Sequence, residues 1–435
     1  MPTVAFATLG CRLNQVDTQF LQGALEARGF RAPRIDEAAD VVVVNTCTVT
    51  ARAEASDRQT IRRLARAHPG ARLVVTGCWA QTDPESVAAL RGVDLVVGNG
   101  DKHRLPDLVD TLLAGGAPAR VQVGDVTRLR TIPVMPLARS AARSRAFLKI
   151  QEGCGHRCAF CIVPRARGAS RSQSPEVVLD QVRGLVEAGH LEVTLTGVDL
   201  GSYGADLAPR TSLAALLRAM VEVSGLRWIR LSSLLPAYFT PELVDLVTGS
   251  AVIAPHVHIP LQSGSDRVLR RMRRPYTSAM YARLVGRLTG ARPDLGLGAD
   301  VIVGHPGEHD RDFEETVTLV DALPFSYLHV FPYSVRRGTE AAAMVDRVDE
   351  RTAAGRSRRL RDLAHRKNRA FREALVGTTQ EVLILESRDP AGRLVGLTGN
   401  YIEVAFTGPD SLMRTLRPVR VTVAGDDETL GELVA

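Results

Sequence analysis

Three times in its first 78 residues the chain runs through a short apolar word and stops at a cysteine. VAFATLG leads to Cys11, VVVVNT to Cys47 and RLVVTG to Cys78. Each word has the length of a buried strand and ends in a turn. Between them lie stretches with helical spacing. Asn14–Arg28 carries Val16, Phe20, Leu21 and Leu25, and Ala55–Ala67 has a similar look. Strand–helix alternation predicts an α/β domain with a parallel, doubly wound sheet, here over residues 1–135. Parallel neighbours end on one edge, the edge where open α/β sheets bind ligands. Cys11, Cys47 and Cys78 are therefore a candidate metal site. A single buried free cysteine is ordinary core. Three at equivalent strand ends favour ligation.

The remaining three of the six cysteines are Cys154, Cys158 and Cys161, within CGHRCAFC. Thiolates this close converge on one metal centre, because thiolate is a soft ligand. Three of them leave one coordination position open for a substrate, the logic that separates catalytic from structural zinc. A zinc site completed by His156 or another residue is the alternative. The N-terminus, MPTVAFATLGCRLN, lacks the basic and then apolar segments of a signal peptide. No apolar run approaches the ~20 residues of a membrane span. A cytoplasmic chain without a membrane partner is expected, and in that reducing compartment structural disulfides are not.

The text changes at Thr131–Arg145, where IPVMPLARSAARSR suggests a linker. Alternation resumes over residues 140–370. Its strand candidates are Ala146–Ile150, Glu192–Thr196, Trp228–Ser232, His256–Pro260, Gly298–Val303 and Tyr327–Phe331, with helices such as Pro175–Ala188 and Leu213–Val223 between them. Six such units predict a partial or full parallel (β/α) barrel with its active site at the C-terminal strand ends. Residues 373–435 turn β-rich (EVLILE, GNYIEVAFTG, RPVRVTVAG), which fits a small antiparallel barrel.

The net charge is +7, and only Lys102, Lys149 and Lys367 among the 55 basic residues are lysines. Arginine forks match phosphate oxygens. Residues 351–372 hold nine basic residues against Asp362, on a helical pattern. With Arg270, Arg271, Arg273 and Arg274 they form a candidate track for nucleic-acid phosphates, the alternative being a solvated helical face.

CGHRCAFC, preceded by LKIQEG and followed by IVPRARG, resembles the radical S-adenosylmethionine superfamily. The words TLGCRLNQVDTQ, VNTCTVT and VTGCWAQ resemble the N-terminal domain of its methylthiotransferase family. TLTGVDLGSYG, HIPLQSGSDRVLRRMRR, DVIVGHPGE and HVFPYSVRRGTEAA resemble that family's barrel, and the last 60 or so residues its RNA-binding TRAM domain. The resemblance covers essentially the whole chain. NTCTVT and TLGCRLNQ are most similar to the branch acting on threonylcarbamoyladenosine in tRNA. Two residues depart from that branch: Arg12 stands where lysine is frequent, and His305 where phenylalanine is usual.

The resemblance implies a tRNA methylthiotransferase that adds a methylthio group to C2 of the modified adenosine at position 37. It implies two [4Fe–4S] clusters, one on Cys154, Cys158 and Cys161 and an auxiliary one on Cys11, Cys47 and Cys78. S-adenosylmethionine would serve as radical source and methyl donor, since a radical is what breaks an unactivated C–H bond. Implied partners are the tRNA anticodon stem-loop, an electron donor and a sulfur source. A methylthiotransferase acting on isopentenyladenosine or a ribosomal-protein aspartate is an alternative, as is a non-enzymatic zinc- and RNA-binding protein. Phe160 is a candidate to pack on the S-adenosylmethionine adenine, or a core residue. Gly197, Gly201 and Gly204 are candidates for close backbone approach to a ligand, or turn glycines. Ser232 and Gln262, at strand ends, are candidate hydrogen-bonding partners of S-adenosylmethionine, or solvated. Asp300, beginning a strand, is a candidate ligand contact or a cap.

Overall fold

The apolar words form strands where expected. The computed structural model describes residues 1–133 and 144–434, so most of the expected linker lies outside the described residues. Val4–Thr8 (β1), Val41–Thr46 (β2), Arg72–Gly77 (β3), Leu95–Val97 (β4) and Val121–Gln122 (β5) make one parallel sheet in that order. Thr3 bridges Arg31 in parallel on the far side of β1, so the chain order reverses at β1. Every residue of β2 is buried because both faces are covered. Val41 and Val43 pack with Leu21, Leu25 and Leu108 on one side, and Val42 and Val44 with Ile61, Leu64 and Trp79 on the other. The sheet is doubly wound.

The central unit contains Arg145–Lys149 (β6), the short pair Gln151–Glu152 (β7) and Arg171–Ser172 (β8), then Glu192–Thr196 (β9), Trp228–Leu231 (β10), His256–His258 (β11), Gly296–Val303 (β12) and Tyr327–Pro332 (β13). Parallel sheets β6-β9-β10 and β11-β12-β13 meet at a bridge between Ile229 and Ile253, giving a partial barrel. Period-two alternation divides every long strand. Leu148, Val193, Leu195, Ile229, Leu231, Val257, Ala299 and Val301 join the apolar core. The alternate positions, on the opposite face, are Lys149, Glu192, Thr194, Arg230, His256, His258, Asp300 and His329. The barrel interior is therefore polar and aromatic. Asp300 is the fifth residue of β12 and not its start, so the cap reading fails.

Thr379–Arg388 (β14), Leu394–Thr398 (β15), Glu403–Phe406 (β16), Leu416–Ala424 (β17) and Thr429–Leu433 (β18) close a five-stranded barrel. It is antiparallel except where β16 meets β18 in parallel. Val382, Ile384, Val404, Phe406, Val419 and Val421 fill it. At the β15–β16 turn Tyr401 adopts φ 74° and inserts its ring against His256, Tyr327, Arg230 and Arg12.

The basic helix forms over Glu350–Glu373, and three of its nine basic residues are ion-paired within the protein, while Arg351, Arg358, Arg361 and Arg366 stay exposed, so the phosphate-track reading is narrowed. Arg356 is buried on Glu308 and Asp310 at 2.7 Å each, Arg359 pairs with Glu314, and Arg369 with Glu373 and Asp426. Arg372 donates to the carbonyls of Gly425 and Glu428 at 2.8 Å. In the other run, Arg271 meets Asp346 and Arg273 meets Glu340, while Arg274 is turned inward. Arg270 stays exposed. Among the described residues no helix is long and apolar enough to cross a membrane.

Arg230 joins the two barrels. Its Nε and one Nη donate to the two Glu192 oxygens at 2.9 Å each, and the other Nη donates to Gly399 O at 2.8 Å, with both side chains fully buried. Removing the guanidinium leaves a carboxylate stranded in the core. Arg230→Met is expected to lower stability by about 3–5 kcal/mol. Adding Glu192→Leu should restore part of it. Urea unfolding of the three proteins measures both effects, and equal stability of Arg230→Met and the parent excludes them.

Candidate functional site

Parallel registry brings the first cysteine group to one sheet edge. Cys47 follows Thr46 and Cys78 follows Gly77, and Thr46 and Gly77 are register partners. Cys11 lies three residues past β1. Gly10 has φ +86°, and a Cβ there would stand 2.5 Å from Cys47 Cβ. Glycine is thus what lets the Cys11 turn close onto Cys47. Cys11 is exposed, whereas Cys47 and Cys78 are buried. Cys47 N donates to Asp57 Oδ2 at 2.6 Å. Burial pushes the Cys47 thiol up to about 12. It is therefore protonated at neutral pH, and a metal bound there would displace the proton.

The second group is carried by the loop after β7. Gly153, at φ +73°, passes so close to Ala169 O that a Cβ would lie 2.0 Å away, and Cys154 N then donates to Gly168 O at 3.0 Å. His156 N lies 3.4 Å from Cys154 Sγ, and an Arg274 Nη lies 3.2 Å from Cys158 Sγ while its Nε donates to Tyr276 Oη at 2.9 Å. Burial raises Cys154 to about 12 and Cys161 to about 11. The His156 ring is engaged elsewhere, 2.9 Å from Tyr238 Oη and 3.3 Å from Asp199, so it does not complete a zinc site. Among the described residues, the one His/Cys/Asp/Glu trio whose ligand atoms all lie within 4.8 Å is His258, Asp300 and His329. Neither cysteine trio is that tight. A single tetrahedral zinc with Zn–S near ~2.3 Å needs its sulfurs closer. A multi-iron cluster, which takes each thiolate on a different iron, spreads them. Six free thiols in two groups of three are the soft donors that iron–sulfur clusters take.

A buried ion network ties the first group to the central barrel. Asp17, of the helix Arg12–Glu26, receives Lys102 at 2.7 Å, Lys149 at 2.6 Å and Arg167 at 3.2 Å. Glu152 receives Lys149 at 2.7 Å and Arg167 at 2.5 Å. Arg167 Nε reaches 3.4 Å from Cys78 Sγ, and an Nη donates to Asn14 Oδ1 at 2.7 Å. Burial acts to raise both carboxyls, but the cations win. Asp17 is held well below the usual range, and Glu152 falls to about 2. Asn99 Nδ2 also faces Cys78 Sγ, at 3.6 Å.

The other expected contacts divide. Ser232 Oγ and Gln262 Oε1 are buried without a hydrogen-bond partner, as groups awaiting a ligand would be. Gln262 is held at φ 66° by its bridge to Val301. Phe160 is half-buried, its ring edge-on to His305 with centroids 6.5 Å apart. Gly197 is not a ligand cradle. A Cβ there would meet Gln151 Oε1 at 2.8 Å, and Gln151 in turn donates to Gly153 O at 2.8 Å, so this glycine makes room for the side chain that shapes the cysteine loop. Gly201 and Gly204 likewise give way to Tyr238 and Thr211. Asp300 faces His258 Nε2 at 3.4 Å and His329 Nδ1 at 3.3 Å, and Ser233 Oγ lies 2.7 Å from His258 Nδ1. Burial acts to raise the Asp300 carboxyl, yet the two imidazoles hold it low. Arg167, Asp17, Lys149, Glu152 and the two histidines escaped sequence reasoning, and Arg274, expected on a phosphate track, lies instead on Cys158. One signal was present: Lys102 and Lys149 are two of only three lysines.

Residues 3–98 match the family model described as Uncharacterized protein family UPF0004, and residues 148–320 match the Radical SAM superfamily. The threonylcarbamoyladenosine tRNA methylthiotransferase MtaB of Bacillus subtilis is 38% identical over 100% of this chain and 97% of its own. The protein of that name from Aquifex aeolicus is 39% identical over 95% and 99%. A tRNA-2-methylthio-N(6)-dimethylallyladenosine synthase of Moorella thermoacetica is 37% identical over 99% and 98%. Among solved structures, the radical S-adenosylmethionine methyltransferase TsrM of Kitasatospora setae shares the fold, with TM-score 0.58 and 19% identity over 79% of this chain and 77% of that one.

His305, the departure noted in VGHPGE, is fully buried, with its Nε2 unpartnered and its ring 5.5 Å from that of Tyr333. Burial lowers it from 6.5 to about 4, so at neutral pH it is an uncharged ring. The unfolded chain takes up this proton below its ordinary value and the folded chain only near 4. Stability is therefore lost as pH falls between them. Relative to the parent, His305→Phe is expected to be more stable at pH 5 than at pH 8 by about 2 kcal/mol. Anaerobic unfolding at the two pH values checks this, and a pH-independent difference excludes it.

Proposed function

The chain belongs to the radical S-adenosylmethionine methylthiotransferases, and from that premise we propose that it adds a methylthio group to C2 of N6-threonylcarbamoyladenosine at position 37 of tRNA. The observation that carries this reading is the pair of three-cysteine groups, the first joined to the barrel by a buried ion network, in a chain similar end to end to proteins of that name. Three units take part, over 1–135, 140–370 and 373–435. The site of action is the cytoplasm.

Cys154, Cys158 and Cys161 hold one [4Fe–4S] cluster, and Cys11, Cys47 and Cys78 the auxiliary one. When bound, the clusters and S-adenosylmethionine supply one-electron bond cleavage, the sulfur and the methyl. The protein's part is to position and to exclude water. Arg274 neutralises charge at Cys158. Ser232 Oγ and Gln262 Oε1 give their free hydrogen-bonding capacity to polar groups of S-adenosylmethionine, and Phe160 packs on its adenine. The imidazoles of His258 and His329, fixed by Asp300, stand on the barrel's inner wall as contacts for the substrate base. Exposed Arg417 and Arg420 of the C-terminal barrel meet phosphates of the anticodon stem-loop. An electron donor and a sulfur source complete the partners.

The test is nucleoside mass spectrometry on tRNA from cells with and without the gene. Loss of the 2-methylthio group from threonylcarbamoyladenosine alone is expected. Loss from dimethylallyladenosine transfers the activity to that substrate, and unchanged tRNA excludes both. Reconstituted anaerobically, the protein should hold about eight irons, and the Cys11→Ala/Cys47→Ala/Cys78→Ala variant about four. A colourless zinc protein overturns the cluster assignment.

A further inference from the structure

Arg167 ends the short helix Val163–Arg167 of the central barrel, yet its working contacts lie largely in the N-terminal unit. Its side chain is 3% exposed. Nε lies 3.4 Å from Cys78 Sγ, and the two Nη atoms bind Glu152, Asn14 and Asp17. Among the described residues it is the one guanidinium bonded to a thiol of the Cys11, Cys47 and Cys78 group. The charges around it do not cancel. Lys102, Lys149 and Arg167 face two carboxylates, Asp17 and Glu152, and the surplus positive charge lies against Cys78. In a buried site this surplus is weakly screened.

We propose that Arg167 is a positioning residue for the auxiliary cluster, and that its charged N–H on Cys78 Sγ sets that cluster's reduction potential. The proposal rests on the assignment of that cluster to Cys11, Cys47 and Cys78. The physical reason is charge. A reduced cluster carries one more negative charge than an oxidised one, so a fixed cation at a ligand sulfur stabilises the reduced form and raises the potential. Asp17, in the same network, pulls the other way. Because Arg167 belongs to the barrel and Cys78 to the sheet, the potential depends on the two units being docked.

The experiment uses the full chain with Cys154→Ala, Cys158→Ala and Cys161→Ala, which leaves the auxiliary cluster alone, reconstituted anaerobically. It is titrated with dithionite and mediators, and the midpoint is read by electron paramagnetic resonance. Arg167→Gln is expected to lower the reduced-to-oxidised ratio at fixed poise by at least tenfold, about 59 mV for one electron. Arg167→Lys, which keeps the charge but loses the fork, should give a smaller fall, and Asp17→Asn a rise. Iron content accompanies each titration. A merely structural role for Arg167 predicts loss of iron without a shift of opposite sign in the two variants. An unmoved midpoint with iron retained, or the same direction for Arg167→Gln and Asp17→Asn, overturns the proposal. If Arg167→Gln loses its iron, Arg167→Lys and Asp17→Asn decide, and two unmoved midpoints overturn it. Absence of iron in the background protein itself overturns the cluster assignment, and the proposal with it.

Discussion

Everything in this molecule leans on a carboxylate that should not be where it is. Asp17 is buried, and burial alone would neutralise it or expel it. It stays charged because Lys102, Lys149 and Arg167 arrive from three separate places in the chain. The reverse dependence is equally strict, since each cation is itself buried. Such an arrangement contributes little net stability against an apolar alternative, but losing one member strands the others at a cost of several kcal/mol. Its effect is to permit one relative placement of the sheet and the central barrel. That placement brings a barrel arginine to a thiol at the sheet edge.

The central barrel shows the same economy. Its outward positions are aliphatic and merge into one core with the surrounding helices. Its inward positions carry the Glu192–Arg230 pair, the histidines and the orphaned polar atoms of Ser232 and Gln262. A barrel packed inside with aliphatic layers would leave no room for a ligand. Here the interior is furnished with hydrogen-bonding capacity that the protein does not itself satisfy, and the lower part is walled by the Arg230 bonds to the third unit.

The convergence of Cys11, Cys47 and Cys78 was legible in the sequence because a parallel sheet turns equal words into one edge. The strands of the barrel were legible from their apolar runs. What could not be read was which distant partner each charged residue meets. Lys149 and Asp17 are 132 positions apart, and nothing local signals their contact. The arginine runs were legible only in part, for a related reason. A cluster of cations looks like a nucleic-acid surface until the acids that face it from other elements, such as Glu308, Glu314 and Asp346, are placed. The alternation of polar and apolar residues along Glu192–Thr196 and His256–His258 was available, and it marks the inner wall without the structure.

Tyr401 gives the third unit a second occupation. Its ring enters the array of His256, Tyr327 and Arg230, and it also touches Arg12, the neighbour of Cys11. The small terminal barrel is therefore a stopper for the central one. One aromatic wedge thus borders both the floor of the central barrel and the first cysteine turn, so a shift of the terminal barrel would disturb the two together.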